Sequence, residues 1–263
     1  MIRIENDETK GTARPFLILA HVRTGGTFCA HALSNHPQVF CDRGEVMHHR
    51  SMWRKYAGMK PGALCRFLWN QTGYQASGFR LIYRQAFHKR VWPAIEQDKP
   101  HILHLQRHSL IRQALSSAYN QMVRAGKADY HPVHSFEERK PPQQELPVKQ
   151  ALYRVRKLAR ERKQGQQRLK GYPGPVLDVW YEAMVGDTPG SATQMAPQVA
   201  KQICRFLGVE TLPLRVDLRR DFPVPTPQMF NNWGELEKTL RKEGFGDAVD
   251  YELEYWDTIV SQG

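Results

Sequence analysis

Arg23, Thr24, Gly25, Gly26 and Thr27 stand where an apolar run meets a helical pattern, in "FLILAHVRTGGTFCAHAL", residues 16–33. The opening N–H groups of a helix have no internal partners, and the helix dipole places partial positive charge there, so such a junction suits an anion. Gly25 and Gly26 let the main chain come close, and Arg23 adds a full charge. A nucleotide P-loop would need G-x-x-x-x-G-K-[ST], whose lysine reaches the terminal phosphates and whose hydroxyl holds magnesium. That lysine is missing, as is the G-x-G-x-x-G of dinucleotide folds. A tight structural turn is the plainer alternative, but it leaves the arginine, glycines and threonine unexplained as a set.

A second chemical group follows in "NHPQVFCDRGEVMHH", residues 35–49. His36 and Pro37 end the first helix, "QVFC" makes a strand, and Glu45 arrives at its C-terminal end, where open parallel sheets collect ligand groups. An anion would repel this carboxylate unless the chemistry requires a proton acceptor there. His48 and His49 lie within reach and are the rival bases. A solvent-facing loop carboxylate is the alternative for Glu45.

These residues need a scaffold. Five β-branched or apolar runs, 16–22, 38–41, 79–83, 102–106 and 176–180, alternate with helical patterns, the signature of a parallel sheet with crossover helices. The expected fold is an α/β three-layer sandwich. After "ILHLQ", Ser109 is placed to cap a helix whose stripe is Leu110, Ile111, Ala114, Leu115, Ala118 and Met122, ending near Gly126. Pro132, Pro141, Pro142 and Pro147 mark residues 127–147 as a loop or lid. Residues 149–170 then carry nine bases against one acid, with Leu152, Val155 and Leu158 at helical spacing. That basic face is either simply solvated or lines a route for an anionic substrate. Near the C-terminus a helix has Glu235 and Glu237 early and Arg241 and Lys242 late, as the macrodipole favours.

The 263 residues, 41% hydrophobic, suffice for one large core. We expect a loose arm over residues 1–14 and one domain over 15–263, with a lid or substrate insertion at 127–170. A net charge of +12 and a pI near 9.7 predict an acidic partner: nucleic acid, an anionic membrane surface or an anionic small molecule. Four cysteines lack zinc-ligand spacing, His101 and His104 face opposite sides of a strand, and no metal site is expected. No signal peptide or membrane-spanning run is evident, so the expectation is a soluble, cytoplasmic protein. Self-association is left open.

The residues resemble the sulfotransferases that use 3′-phosphoadenosine 5′-phosphosulfate, in particular the bacterial carbohydrate-type and protein-tyrosine-type branches. The resemblance is carried by "RTGGT" with "L-x-x-HP-x-V-x-x-x-x-x-E", "GFRLIYRQ", "LQRHSLIRQALS", "VWYEAMVGD", "ICRFLGV" and "MFNNWGELEKTL", which follow one another over residues 16–240. It implies a P-loop-like fold in which Arg23, Thr24, Gly25, Gly26, Thr27 and Phe28 cradle the 5′-phosphosulfate. The amides and Arg23 would stabilise charge on the departing oxygen. The family's second cofactor contact is a strand-end arginine and a helical serine on the 3′-phosphate. Ser116 takes the serine's place, and either Arg107 or His108 the arginine's, because Arg107 lies nine residues before Ser116 where the family's interval is eight. Arg112, one turn before Ser116, is a possible helper. The resemblance makes Glu45 the general base, with His48 as rival, and Arg80 and His49 substrate contacts. It places Tyr181 and Glu182 at the sheet edge as organisers. The implied partners are the sulfate donor and a hydroxyl acceptor on a carbohydrate, lipid or peptide, with no metal and no nucleic acid. A P-loop-type small-molecule kinase, a basic nucleic-acid-binding protein and a nucleotide-binding relic without turnover are the alternatives.

Overall fold

The computed structural model describes residues 13–47, 56, 58–124, 145–186, 193–216 and 226–261. Five strands, β1 (Arg14–Ala20), β2 (Val39–Asp42), β3 (Ala76–Ile82), β4 (His101–Gln106) and β5 (Val176–Trp180), form one sheet in the order β2-β3-β1-β4-β5. Every pairing is parallel. From β1 the chain goes out to the β2 edge, returns to β3, and then crosses to β4 on the other flank. The C-terminal end of β1 therefore lies between those of β3 and β4, a topological switch point, where open α/β sheets bind their ligands.

Helices cover both faces, which is why β1 reads as a continuous apolar run and not as an alternation. On one face Phe16, Ile18, Leu103 and Leu105 pack against Cys29 and Leu33 of α1 (Gly26–Ser34) and Ile203 and Leu207 of a later helix, Pro197–Leu207. On the other, Leu17, Leu19, Phe79, Leu81 and Ile102 meet Leu64 and Leu68 of α2 (Pro61–Trp69) and Ile95 of a neighbouring helix. Full burial of such side chains is worth roughly 2 kcal/mol each, enough for the central strand to hold its place whatever the surface does. Between β3 and β4 lie α3 (Tyr83–Ala86) and α4 (Trp92–Asp98). A third cluster joins α5 (Leu110–Arg124) to α6 (Val148–Lys170) and the two C-terminal helices through Ile111, Leu115, Val155, Leu158, Leu236 and Leu240.

Several boundaries differ from the sequence expectation. β1 begins at Arg14 and β3 at Ala76, because Arg14 and Pro15 enter the ladder opposite Ala76 and Ser77. Main-chain pairing of this kind leaves no apolar signature. Of the described end of the N-terminal arm, Arg14 thus belongs to the sheet, and Ala13 just before it is buried. Tyr83 opens α3 and does not end a strand. Of the 127–170 insertion, residues 127–144 lie outside the described residues.

Arg112 turns away from the face expected for it. It is buried, its Nη1 donates to Thr226 Oγ1 at 3.0 Å, and its guanidinium lies 5.1 Å from the Trp256 ring centre. The hydroxyls of Thr226 and Ser109 both donate to the carboxylate of Glu252, which is fully buried, and Trp256 Nε1 donates to it at 2.8 Å. Ser109 also accepts the Arg112 N–H at 3.0 Å, which caps α5 as its sequence position suggested. This cluster ties α5 to the C-terminal helix.

Two outcomes follow from this packing. Glu252→Ala strands three buried donors, so it is expected to lower stability by roughly 3 kcal/mol or more in urea denaturation. Cys29, Cys41, Cys65 and Cys204 are free and buried. Burial pushes the thiols of Cys29 and Cys65 up to about 12 and raises those of Cys41 and Cys204. The native protein is expected to release nothing from a thiol-specific disulfide reagent near neutral pH, and four thiols once unfolded. A fast-reacting native thiol would contradict that packing.

Candidate anion-binding site

After β1 the chain turns through Arg23 at φ 63° and Gly25 at φ 80°, both left-handed, before α1 opens at Gly26. Left-handed residues in such turns aim successive N–H groups into one concavity. Glycine is needed at 25 twice over, for its φ and because a Cβ there would lie 2.5 Å from Tyr181 Cδ2 and 2.8 Å from Met184 Cε. Thr24 is buried, and its hydroxyl closes the turn by donating to the His21 carbonyl at 2.8 Å. Among the described residues no side chain caps α1 and no acid occupies its first turn, so the positive end of its dipole is not offset from within the helix. The Phe28 ring packs into the core, so its main chain is what it offers to the site.

Two sets of side chains gather on this loop. In the first, Arg23 Nε donates to Ser116 Oγ at 2.9 Å, and Arg107 Nη1 donates to the Arg23 carbonyl at 3.1 Å. The Arg107 guanidinium lies 4.5 Å over the Tyr181 ring. Its Nε is 3.8 Å from Glu182 Oε1, close enough for an ion pair and too far for a hydrogen bond. In the second set, Arg80 Nη1 donates to Thr27 Oγ1 at 2.6 Å, and Nη2 stands 3.6 Å from Glu45 Oε1. Burial pulls the Arg80 guanidinium below its usual range, with the Glu45 charge opposing that shift.

The structure thus brings Arg23, Arg107 and Ser116 together, and Arg80, Thr27 and Glu45 together. His108 is exposed, and its ring stacks on Trp180 with centroids 3.8 Å apart and planes 6° from parallel. His48 and His49 lie outside the described residues. Glu182, in the short helix α7 (Tyr181–Val185), accepts the N–H groups of His108 at 3.0 Å and Ser109 at 3.4 Å and so fixes the turn after β4. His101 contacts Phe206, whereas His104 bonds Tyr83 and Asp178.

Gln113 was missed in the sequence. Its Nε2 donates to the Val22 carbonyl at 2.7 Å, and it precedes Ser116 by three residues, a helical spacing that could have revealed it. Among the described residues five buried side-chain polar atoms have no hydrogen-bond partner, and four of them are His21 Nδ1, Arg80 Nε, Arg107 Nε and Gln113 Oε1. Each belongs to this loop or to a residue bonded to it. Unsatisfied polar atoms are rare in native interiors, and their concentration around one loop is what a site for a polar ligand requires.

Gly25→Ala is expected to cost roughly 1–3 kcal/mol, read as a lower melting temperature, because the left-handed φ and the Tyr181 ring both oppose a Cβ. A variant as stable as the parent would show that the turn is not confined in this way.

No protein-family model and no curated protein matches the chain. A solved structure does: the crystal structure of a sulfotransferase from Alicyclobacillus acidocaldarius aligns at 20% identity over 92% of this chain and 95% of its own, with a TM-score of 0.55. At this identity the likeness speaks for the fold, and the chain shares the α/β architecture of that sulfotransferase.

Proposed function

We propose that the protein is a sulfotransferase that moves a sulfuryl group from 3′-phosphoadenosine 5′-phosphosulfate to a hydroxyl by direct in-line displacement, with a carbohydrate or glycolipid as acceptor. The observation that carries this reading is Arg80, which joins Thr27 of the cradle to Glu45. A carboxylate is thereby held beside a cationic anion site, an arrangement useful to a reaction that removes a proton next to bound anionic charge.

The residues present fit the donor. Main-chain amides from Gly25 to Phe28, with Arg80, are suited to its 5′ end. Arg107 and Ser116, joined through Arg23, are suited to the 3′-phosphate. Arg107 is favoured over His108 because it bonds into the loop, whereas the His108 ring is engaged with Trp180. When bound, the donor supplies the activated sulfuryl group.

The chain's own residues then have distinct tasks. Glu45 accepts the proton of the attacking hydroxyl, and Arg80 orients Glu45. Donors at the opening of α1 oppose negative charge that develops on the departing side, where preorganised dipoles are most effective. Arg23 and Arg107 hold the nucleotide in one register, which lowers the entropic cost of alignment.

Glu45→Gln is expected to lower kcat by roughly 10²–10⁴ while 3′-phosphoadenosine 5′-phosphate binds as before. Transfer of radiolabelled sulfate to fractionated cell extract, followed by identification of the labelled fraction, names the acceptor. A folded protein that neither labels any fraction nor binds the desulfated nucleotide would end this reading. Label on a protein tyrosine would move the acceptor class while leaving the chemistry.

A further inference from the structure

The basic helix α6 is built into the molecule at both ends. Its first half is anchored in the helical cluster by Ala151, Val155 and Leu158. At its exit Leu169 packs against the sheet, and the Tyr172 hydroxyl donates to the Pro100 carbonyl at 2.5 Å. Between these anchors Glu161 and Gly165, and beside them Arg162 and Gln166, form two adjacent rows at i, i+4 spacing.

Both rows meet strand ends. Glu161 Oε2 lies 2.6 Å from Nε2 of His21, the first residue past β1. Arg162 Nη2 donates at 2.6 Å to the carbonyl of Arg107, the first residue past β4. Gln166 Nε2 donates to Gln106 Oε1 at 3.2 Å. A Cβ on Gly165 would fall 2.5 Å from Tyr83 Cε2, so only glycine lets the helix come this close. The Arg107 bond to the Arg23 carbonyl then closes a ring of contacts that runs from β1 through α6 to β4 and back.

Glu161 is the one acid among residues 149–170, against nine bases. Burial alone would raise its carboxyl, but the hydrogen bond from His21 and the charges of His21, Lys157 and Arg154 bring it below its usual range. One acid in such a run changes solubility little; here it is the residue that grips the loop.

We propose that α6 sets the geometry of the anion site. Glu161 holds the end of β1 through His21, Arg162 holds the end of β4 through the Arg107 carbonyl, and together they fix the separation of Arg23 and Arg107. Both are positioning residues, acting through His21 and Arg107. The identity of the anion rests on the sulfotransferase reading, whereas the ring of contacts does not.

The full chain and its Glu161→Gln, Arg162→Ala, Arg162→Lys and Lys163→Ala variants are titrated calorimetrically with 3′-phosphoadenosine 5′-phosphate, and melting is followed in parallel. Glu161→Gln and Arg162→Ala are expected to weaken binding about tenfold and to raise the donor KM more than they lower kcat. Arg162→Lys keeps a cation near the carbonyl and is expected to recover part of the loss. Lys163→Ala, an exposed neighbour, is expected to bind like the parent. Folded Glu161 and Arg162 variants that bind as tightly as the parent would overturn the positioning role. Should Glu161→Gln or Arg162→Ala not fold, the dissociation constant of Arg162→Lys decides: equal to the parent's, it overturns the role. A folded parent that ignores the nucleotide overturns the sulfotransferase reading first, and the nucleotide-positioning role with it.

Discussion

Guanidinium groups taken out of water need anions near them, and among the described residues the C-terminal edge of this sheet supplies none at hydrogen-bond distance to Arg80 or Arg107. Arg80 and Arg107 are 9% and 8% exposed, yet the carboxylates facing them stand at 3.6 and 3.8 Å, beyond hydrogen-bond reach. A buried ion pair offsets its desolvation only when the geometry is close and the remaining donors are satisfied. Here each arginine keeps an unpartnered Nε. Among the described residues, one edge of the fold therefore carries positive charge that the neighbouring acids, Glu45 and Glu182, meet only at ion-pair distance, beside the uncapped opening of α1. Other features of the site, including its left-handed turn and the aromatic contact on Arg107, keep that charge in position.

The sheet order makes this concentration of charge possible. Because β1 lies between β3 and β4, residues from three other parts of the sheet reach the loop that follows it: Arg80 from β3 on one side, Arg107 and Ser116 from beyond β4 on the other, and Tyr181 from the end of β5. Each neighbour is itself fixed elsewhere. Glu182 holds the turn after β4 through two N–H groups, and Glu252 holds the start of the Ser116 helix through Ser109. Rigid supports of this kind let a loop serve as a binding element without losing definition.

The five strands and the helices that follow β1 and β4, that span the basic run and that carry Glu235 to Lys242 were legible because their apolar or charge pattern is local. The loop was legible for the same reason, since its glycines and arginine are consecutive. What stayed hidden depends on distant partners. Arg112 shares a helical face with Ser116 on a wheel, but it is buried against the Trp256 ring and bonded to the hydroxyl of Thr226, which itself donates to Glu252. The early starts of β1 and β3 are ladder effects between small or polar residues, Arg14 with Ala76 and Pro15 with Ser77. Glu161 looked like an exception within a basic run until its partner, His21, was seen 140 residues away. The stacking of His108 on Trp180 likewise joins the turn after β4 to β5 and has no trace in either segment.

The Arg23–Thr27 turn lies near the start of the chain, whereas the groups that complete it come from positions 80, 107, 116, 161 and 181. At typical synthesis rates, roughly 8–30 seconds separate Thr27 from Tyr181 on the ribosome. During that interval the turn gains its partners one at a time, Arg80 first, then Arg107 and Ser116, and the Tyr181 ring last. A chain stopped before the last strand therefore has the turn without the Tyr181 ring that confines Gly25.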